Sequence, residues 1–464
     1  MNQHACRLIV KASTIVTLDP KDSLIADGFV AVDEGRIVGV GTSAELQDWK
    51  AEETVEGKGM VALPGLVNAH THETLVRCYW DKFKGGSLLE DIMLAYYMEL
   101  AVNEDHSYVA AKLNQLEMIK SGVTTFIDTW RHQHKAAEVL SKSGLRGILA
   151  PQIADRVSWP KIHCGRYWME SVEGNQNLLA EWHGKANGRI QVWFGPHAPY
   201  SCSEEVLLKC KDLALQHGVG VHIHLNEGLD EVRACVKDRG ARPIEYLESI
   251  NFFEPKVHAA HCVWLSSSEI KILRKHDVTI SHQPRSNMKS AVGIADVVPL
   301  MKDGITVGLG TDSNMGPGNL DMFEEMRVAL YLQRISKMNS RILNASDVLR
   351  MATLNGAKCL RMDHDIGSIE KGKKADLVLV DLKKPHIAPT QSKNLSNVVE
   401  LLVHAACAKD VDTTIVDGRI LMEHGKVITL DEEQILEESE EAAKDLMEKT
   451  IQIYSRERPS ETFH

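Results

Sequence analysis

No apolar run in this 464-residue sequence approaches the roughly 20 residues that a helix needs to cross a membrane, which excludes a transmembrane segment. Runs of basic residues are also absent, and the formal net charge is -11, which argues against a nucleic-acid-binding surface. Residues 1–6 lack the apolar core of a signal peptide. We therefore expect a cytoplasmic protein without membrane or nucleic-acid partners.

Closely spaced cysteine pairs are missing as well. The nine cysteines include no Cys-x-x-Cys pair, which favours reduced thiols over a disulfide framework. The overall composition is ordinary for a globular protein, with 44% hydrophobic and 25% charged residues. The length exceeds that of one ordinary domain, and a barrel with an appended domain would account for it.

Two histidines, His70 and His72, follow an apolar run at residues 60–67. The run predicts one short buried strand, and because residues i and i+2 of a strand share a face, the two imidazoles should point the same way. Two imidazoles so placed form half of a metal site. Taken alone, the pair is equally compatible with two histidines in a polar turn.

The middle of the chain alternates strand-like and helix-like segments, which predicts a parallel sheet flanked by helices. Eight such units make a closed (β/α)8 barrel, and functional groups lie at the C-terminal ends of its strands. Seven strand candidates follow the one that ends near His70: residues 124–128, 147–150, 190–194, 219–224, 257–261, 278–282 and 305–310. We predict an α/β fold with a TIM-like barrel over residues 61–370.

Short strand patterns occur at both ends of the chain. Glu34 and Gly35 lie between alternating apolar segments and predict a hairpin, and similar strands recur at residues 375–381 and 413–421. We predict that residues 1–60 and 371–430 form one β-sandwich domain, although two unrelated sheets would give the same pattern. Residues 431–464 are then an amphipathic surface helix with a solvated face, followed by a tail.

Polar residues end the later predicted strands. His224 ends one of them, and Glu227 lies three residues beyond it. His261 and His282 end the next two strands, and Asp312 follows the last. Each residue alone could be a satisfied core histidine or a helix N-cap. Their joint position predicts that they meet at one end of the barrel.

Three nitrogens and one carboxylate oxygen of this set suit a single Zn²⁺ or Fe²⁺ ion, with a position left for water. The four predicted ligands are His70, His72, His224 and Asp312. The ion would activate the water molecule, and the Asp312 carboxylate could accept its proton. Glu227 could carry a proton to a ring nitrogen or leaving group, and His261 could orient the water or stabilise developing charge.

Several motifs resemble those of the amidohydrolase superfamily, specifically its aminohydrolase branch. That branch contains deaminases of adenosine-type and guanine-type compounds and hydrolases of s-triazines. The matching segments are residues 64–72 (PGLVNAHTH), 195–200 (GPHAPY), 222–227 (HIHLNE), 259–262 (AAHC), 281–287 (SHQPRSN), 310–312 (GTD) and 367–376 (GSIEKGKKAD). The resemblance covers nearly the whole chain and implies a barrel, a β-sandwich from both termini, and a homo-oligomer.

The resemblance also implies roles for individual residues. His197 matches a residue that contacts a ring nitrogen of the base in adenosine-type deaminases, and Glu99 matches a glutamate that holds the ribose hydroxyls. Residues matching Glu227 and His261 shuttle protons and orient water. Because the fourth strand ends at residues 195–197 (GPH) without the bridging lysine of binuclear relatives, one metal ion is implied.

One segment departs from the family pattern. S-Adenosylhomocysteine deaminases place an arginine near the end of the third strand, whereas this chain has residues 150–152 (APQ) there. We therefore expect a deaminase of an amino-substituted aromatic heterocycle, most simply an adenosine-type compound such as methylthioadenosine. Hydrolysis of s-triazines, deamination of a guanine- or pterin-type ring, and a non-catalytic scaffold of the same fold remain alternatives.

Overall fold

The structure, a computed structural model, describes residues 4–79, 88–156, 169–390 and 396–457. Parallel strands with intervening helices form its centre, and strands from both ends of the chain form a further sheet. Within the described ranges, none of the helices combines the length and the apolar character that a membrane span requires.

Four strands from the N-terminal part begin the terminal sheet. β2 and β3 pair in antiparallel fashion, and the predicted hairpin turn lies between them at Glu34 and Gly35. The two turn residues have φ angles of 46° and 75°, a region that glycine adopts without steric cost. The four strands are β1 (His4–Val16), β2 (Leu24–Asp33), β3 (Arg36–Thr42) and β4 (Trp49–Pro64).

The next strands close into a parallel barrel. They are β5 (Leu66–His72), β6 (Val123–Asp128), β7 (Arg146–Leu149), β8 (Gln152–Ile153), β9 (Ile190–Val192), β10 (Gly195–Pro196), β11 (Val221–Leu225), β12 (Val257–His261), β13 (Thr279–His282), β14 (Val307–Leu309) and β15 (Asp312–Ser313). Pairing runs from β5 through β6 and β7 to β9, and from β11 through β12 and β13 to β14. A bridge between Phe194 and Val221 joins the two groups, and β15 pairs with β5. The predicted α/β barrel fold is confirmed.

Helices alternate with the barrel strands, as the sequence pattern predicts. Several begin with a serine or asparagine whose side chain accepts a hydrogen bond from the first helical turn, as in α5 and α8. The helices are α1 (Leu88–Ala101), α2 (Glu104–Lys120), α3 (Gln133–Ser143), α4 (Val172–Trp182), α5 (Glu204–His217), α6 (Leu229–Arg239), α7 (Pro243–Ser249), α8 (Ser267–Lys275), α9 (Pro284–Lys289), α10 (Val297–Lys302), α11 (Met322–Ser336), α12 (Ala345–Met351), α13 (Leu354–Cys359), α14 (Val398–His404) and α15 (Glu432–Glu457).

Strands from the C-terminal part complete the terminal sheet. They are β16 (Leu377–Asp381), β17 (Val411–Val416), β18 (Arg419–Glu423) and β19 (Lys426–Val427). The sheet order is β19-β18-β17-β16-β4-β1-β2-β3, so β16 joins the C-terminal strands to β4 of the N-terminal part. Along β16, Leu377 and Leu379 pack inside the terminal domain, whereas Val378 and Val380 pack on the barrel core. This apolar strand is therefore buried on both faces.

The apolar run at residues 60–67 is not the single strand that the sequence predicts. It is divided at Gly65 between β4 of the terminal sheet and β5 of the barrel. A Cβ atom at Gly65 would lie 2.0 Å from the Thr124 hydroxyl, so only glycine fits this crossing point. The terminal sheet thus extends to Pro64, beyond the predicted domain boundary at residue 60.

The C-terminal helix that the sequence predicts is present as α15. One side of it is buried against other helices, in addition to the predicted solvated face. It packs against α1 and α2. Leu446 is 1% exposed, and Tyr454 contacts the ring of Tyr97 in α1 with 5.1 Å between ring centroids. The predicted tail at residues 458–464 lies outside the described residues.

Candidate metal centre and active site

Four side chains from distant parts of the chain converge at the C-terminal end of the barrel. The Nε2 atom of His72 lies 3.3 Å from Oδ1 of Asp312, and Nε2 of His70 lies 3.6 Å from the same oxygen. The Nε2 atom of His224 lies 3.3 Å from Nε2 of His72. The structure thus brings together the four predicted ligands His70, His72, His224 and Asp312.

Hydrogen bonds at the opposite ring nitrogens orient these imidazoles. Nδ1 of His72 donates to the carbonyl of Thr129, and Nδ1 of His224 donates to the carbonyl of His197 at 3.0 Å. Because a carbonyl oxygen only accepts, both rings carry their proton on Nδ1 and present an Nε2 lone pair to the centre. These backbone partners are supplied by the segments that follow β6 and β10.

The residues fit a divalent cation. Nε2 of His70 is buried and has no hydrogen-bond partner among the described residues, which is costly unless another group occupies the site. Burial lowers the pKa of His70 to about 3 and also lowers those of His72 and His224, so all three rings are neutral and can coordinate a metal. Three imidazole nitrogens and one carboxylate oxygen form a donor set that suits zinc or ferrous iron.

Asp312 occupies a strained backbone position at the end of the barrel. Its φ angle is +61°, in the left-handed region, and such residues are often found at functional sites. Oδ2 accepts a hydrogen bond from the Ser286 hydroxyl at 2.6 Å, and Oδ1 accepts one from the Ser313 amide at 2.7 Å. Burial alone would raise its pKa, but the adjacent His70 ring holds the pKa well below the ordinary value. Asp312 is therefore ionised.

Glu227 and His261 face the same point from neighbouring strands. Nε2 of His261 lies 3.7 Å from Oε2 of Glu227 and 3.8 Å from Oδ2 of Asp312. Nδ1 of His261 contacts Oδ1 of Asn287 at 3.0 Å, which fixes the ring plane. Burial, and then the charge of Asp312, raises the pKa of Glu227 well above its ordinary value. Glu227 and Asp312 therefore differ in their tendency to hold a proton, as an acid and a base must.

A cavity opens above these groups, with an empty volume of about 680 Å³ including its mouth. His197 and Glu99, the two predicted substrate-binding residues, both line it. Its apolar wall comes from α1 and from loops at the strand ends: Leu88, Ile92, Ala95, Trp130, Met169 and Met315.

The two predicted substrate-binding residues differ in their surroundings. Nδ1 of His197 is 2.7 Å from the Ser201 hydroxyl, and its ring centroid lies 4.9 Å from that of His224. Glu99 is 7% exposed, and its Oε2 atom has no hydrogen-bond partner among the described residues. Burial, opposed in part by the charge of Arg131, raises the pKa of Glu99 to about 7. A buried carboxylate oxygen that lacks a partner among the described residues is suited to a ligand that donates a hydrogen bond.

Sequence reasoning missed part of this site. Trp130 follows β6 by two residues, and the rule that strand ends carry function would have identified it. Ser286 lies inside the motif at residues 281–287 but carried no assignment. Met169 and Met315 have no local signal, because they reach the cavity only through the barrel's closure.

The chain is similar to known proteins over most of its length. The model of the amidohydrolase family matches residues 61–421. The 5′-deoxyadenosine deaminase of Methanosarcina acetivorans is 39% identical over 442 residues, which cover 95% of this chain and 98% of that protein. The 5-methylthioadenosine/S-adenosylhomocysteine deaminase of Pelotomaculum thermopropionicum is 38% identical over 439 residues, covering 94% and 98%.

A solved structure extends the likeness to three dimensions. The adenosine deaminase of Xanthomonas campestris, crystallised with bound zinc, superimposes with a TM-score of 0.86 at 27% sequence identity. The match covers 96% of this chain and 100% of that one. The barrel and the terminal strands are therefore shared as one architecture.

Proposed function

Because the chain belongs to the amidohydrolase family, we propose that it is a metal-dependent deaminase of adenosine-type nucleosides with a small, uncharged 5′ group. It is a hydrolase that acts on C–N bonds other than peptide bonds, as its deaminase relatives are. One observation carries the finer proposal. Three of the four proposed ligands, His72, His224 and Asp312, line the cavity that Glu227 and Glu99 also line, and His70 lies directly beside them.

One divalent cation, zinc as the first choice and ferrous iron as the second, would be held by four residues: His70, His72, His224 and Asp312. When bound there, such a cation makes an activated water molecule available at neutral pH. A zinc-bound relative of the same architecture supports the choice of zinc.

Proton movements are assigned to Asp312 and Glu227. Asp312, which is ionised, accepts a proton from the attacking water, whose oxygen bonds to the ring carbon that carries the amine. Glu227, whose raised pKa favours the protonated form, donates a proton to the adjacent ring nitrogen, and the ring carbon becomes tetrahedral. Nε2 of His261, less than 4 Å from both carboxylates, orients the water during this step.

The second half of the reaction returns both carboxyl groups to their starting states. The proton held by Asp312 passes to the amine, the C–N bond breaks and ammonia leaves. Glu227 takes the remaining hydroxyl proton, and a carbonyl forms at the ring carbon. Water and the amine are consumed, and ammonia and the oxo compound are produced, so atoms and charges balance.

Substrate orientation is assigned to His197 and Glu99. His197 lies beside the metal centre, with 4.9 Å between its ring centroid and that of His224, where it can contact a ring nitrogen of the base. Glu99 lines the same cavity and can accept hydrogen bonds from the two ribose hydroxyls. Gln152 and Met169 also line the cavity, and the described lining residues include no lysine or arginine to pair with an amino-acid carboxylate. A hydrogen, methyl or methylthio group at the 5′ position therefore fits better than homocysteine.

Ammonia release across a substrate panel tests the proposal. We expect the highest kcat/KM with 5′-deoxyadenosine and methylthioadenosine, and at least tenfold lower values with S-adenosylhomocysteine, because burying its charged tail without a partner is unfavourable. Guanine, a pterin and an amino-s-triazine complete the panel, since each represents an alternative within the family. Turnover of one of these rings, with no turnover of any adenosine compound, would refute the proposal.

A further inference from the structure

Two histidines that bind nothing in the reaction described above lie directly behind the metal centre. Nδ1 of His70 is 2.8 Å from Nε2 of His222, and Nδ1 of His222 is 3.0 Å from the carbonyl oxygen of His258. Nε2 of His258 is in turn 2.8 Å from the carbonyl oxygen of Ala69. The three imidazoles are at most 1% exposed, so all three rings are shielded from solvent.

His70 differs from the other two imidazole ligands in the partner of its Nδ1 atom. His72 and His224 each face a backbone carbonyl, which only accepts a hydrogen bond and therefore fixes the ring's tautomer. The partner of His70 is another imidazole nitrogen, which can either donate or accept. The tautomer of His70 is therefore undetermined until the proton on His222 is located.

The carbonyl of His258 determines that proton. A carbonyl oxygen cannot donate, so Nδ1 of His222 carries the hydrogen in the 3.0 Å contact. Among the residues that the structure describes, no carboxylate contacts the His222 ring, so a buried imidazolium there would lack a counter-charge. His222 is therefore neutral and its Nε2 atom is an acceptor. Nδ1 of His70 must then donate to it. The Nε2 atom of His70, which has no hydrogen-bond partner in the described part of the chain, is left with its lone pair facing Asp312.

The His258 ring is fixed by the same reasoning. Its Nε2 atom donates to the carbonyl of Ala69, and its Nδ1 atom accepts from the Thr279 hydroxyl at 2.9 Å. The rings of His222 and His258 are stacked, with 5.0 Å between centroids and 17° between planes. Ala69 immediately precedes His70, so the contact also ties β12 to the strand that carries the ligand.

We propose that His222 is a positioning residue that sets the tautomer and ring orientation of His70, with the His258 carbonyl fixing the direction of the hydrogen bonds. The inference rests on the proposed metal site. Hydrogen-bond partners behind a metal ligand commonly change metal affinity by about 10- to 100-fold. The hydrogen-bond partner of His70 is a side chain, so a substitution can remove it. The partners of His72 and His224 are backbone carbonyls, which a substitution leaves in place.

Zinc affinity of His222→Leu and His222→Gln, measured by competition with a chelator, tests the proposal without reference to turnover. Leucine removes the acceptor, and we expect a loss of about 10- to 100-fold in affinity. Glutamine can present its amide oxygen to Nδ1 of His70, so its affinity should stay within a few-fold of wild type. The visible absorption of the cobalt-substituted protein should change in the leucine variant and remain close to wild type in the glutamine variant.

Phe252→Leu controls for loss of a buried ring from the barrel core, because Phe252 is fully buried there and its ring contacts Phe253 rather than any proposed ligand. Its zinc affinity should match wild type. Thermal unfolding of the metal-free proteins checks that all three variants fold. Wild-type affinity in His222→Leu, or equal losses in the leucine and glutamine variants, would overturn the role of His222. Failure of the wild-type protein to bind zinc would instead overturn the proposed function.

Discussion

The Nε2 atom of His72 lies 3.3 Å from Oδ1 of Asp312 because strand β15 pairs in parallel with strand β5. In that pairing Asp312 is opposite Thr71 and Ser313 is opposite His72. The contact that closes the barrel is therefore the contact that completes the proposed metal site. Gly310 permits this closure, since a Cβ atom there would lie 2.7 Å from the backbone nitrogen of His70.

Glu227→Gln should retain the metal and lose turnover. The amide keeps the shape of the side chain but cannot deliver a proton to the ring nitrogen, so we expect kcat to fall by about 10²- to 10⁴-fold. Metal content and kcat are measured on the same preparation. Glu205→Gln, an exposed change on α5, is the control and should behave as wild type. Unchanged kcat in Glu227→Gln would remove the proton-transfer role.

The KM for a nucleoside should decrease as the pH rises through about 7. Burial raises the pKa of Glu99 to about 7, so the side chain is neutral below that pH and ionised above it. The ionised form accepts hydrogen bonds from both ribose hydroxyls, and the neutral form accepts them less well. In Glu99→Gln this dependence of KM on pH should disappear. A 2′,3′-dideoxy substrate, which lacks the hydroxyls, should show no such trend even with the wild-type protein.

Arg146→Met should destabilise the fold by about 3–5 kcal/mol, because it leaves the buried Asp376 carboxylate without a cationic partner among the described residues. Arg146 on barrel strand β7 donates to Asp376 at 2.9 and 3.1 Å and to Asp417 at 2.9 Å, and both partners belong to the terminal domain. Chemical denaturation measures the free energy of unfolding. Lys11→Met, which breaks the exposed pair with Glu56, is the control and should cost much less. Equal losses in the two variants would contradict this role.

Leu446→Ala should raise the KM while leaving the metal content unchanged. Leu446 of α15 packs in one cluster with Ala95, Met98 and Met315, and two of these also line the substrate cavity. The cavity left by the truncation should cost about 2–5 kcal/mol of stability and loosen α1, which carries Glu99. Leu436→Ala, on the same helix but 49% exposed, is the matched control. An unchanged KM in Leu446→Ala would show that α15 does not support the substrate wall.

Local sequence patterns predicted those structural features that are encoded within single segments of the chain. The β-α alternation predicted the barrel, and the His-x-His pair at the end of β5 indicated a metal site, because both follow from periodicity along one segment. The division of residues 60–67 between two sheets was missed, because it depends on the contact of Gly65 with Thr124. The apolar wall of the cavity was missed for the same reason, since Met169 and Met315 reach it only in the closed barrel.

The identity of the hydrogen-bond partners behind the ligands was also beyond the sequence. His222 alternates with the apolar residues of β11, and that pattern does not distinguish a metal ligand from a supporting residue. Only the contact of His222 with His70 and with the His258 carbonyl makes the distinction. A resemblance to known deaminases supplied the candidate roles of Glu99 and His197, and the structure adds that both line one cavity.

Ammonia release from 5′-deoxyadenosine by metal-free protein titrated with zinc is the most direct test of a catalytic centre built by His70, His72, His224 and Asp312. Activity should be absent after chelation, rise in proportion to added zinc and reach its maximum at about one equivalent per chain, since the four ligands form one site. Full turnover by the metal-free protein, or no turnover at any zinc concentration, would contradict it.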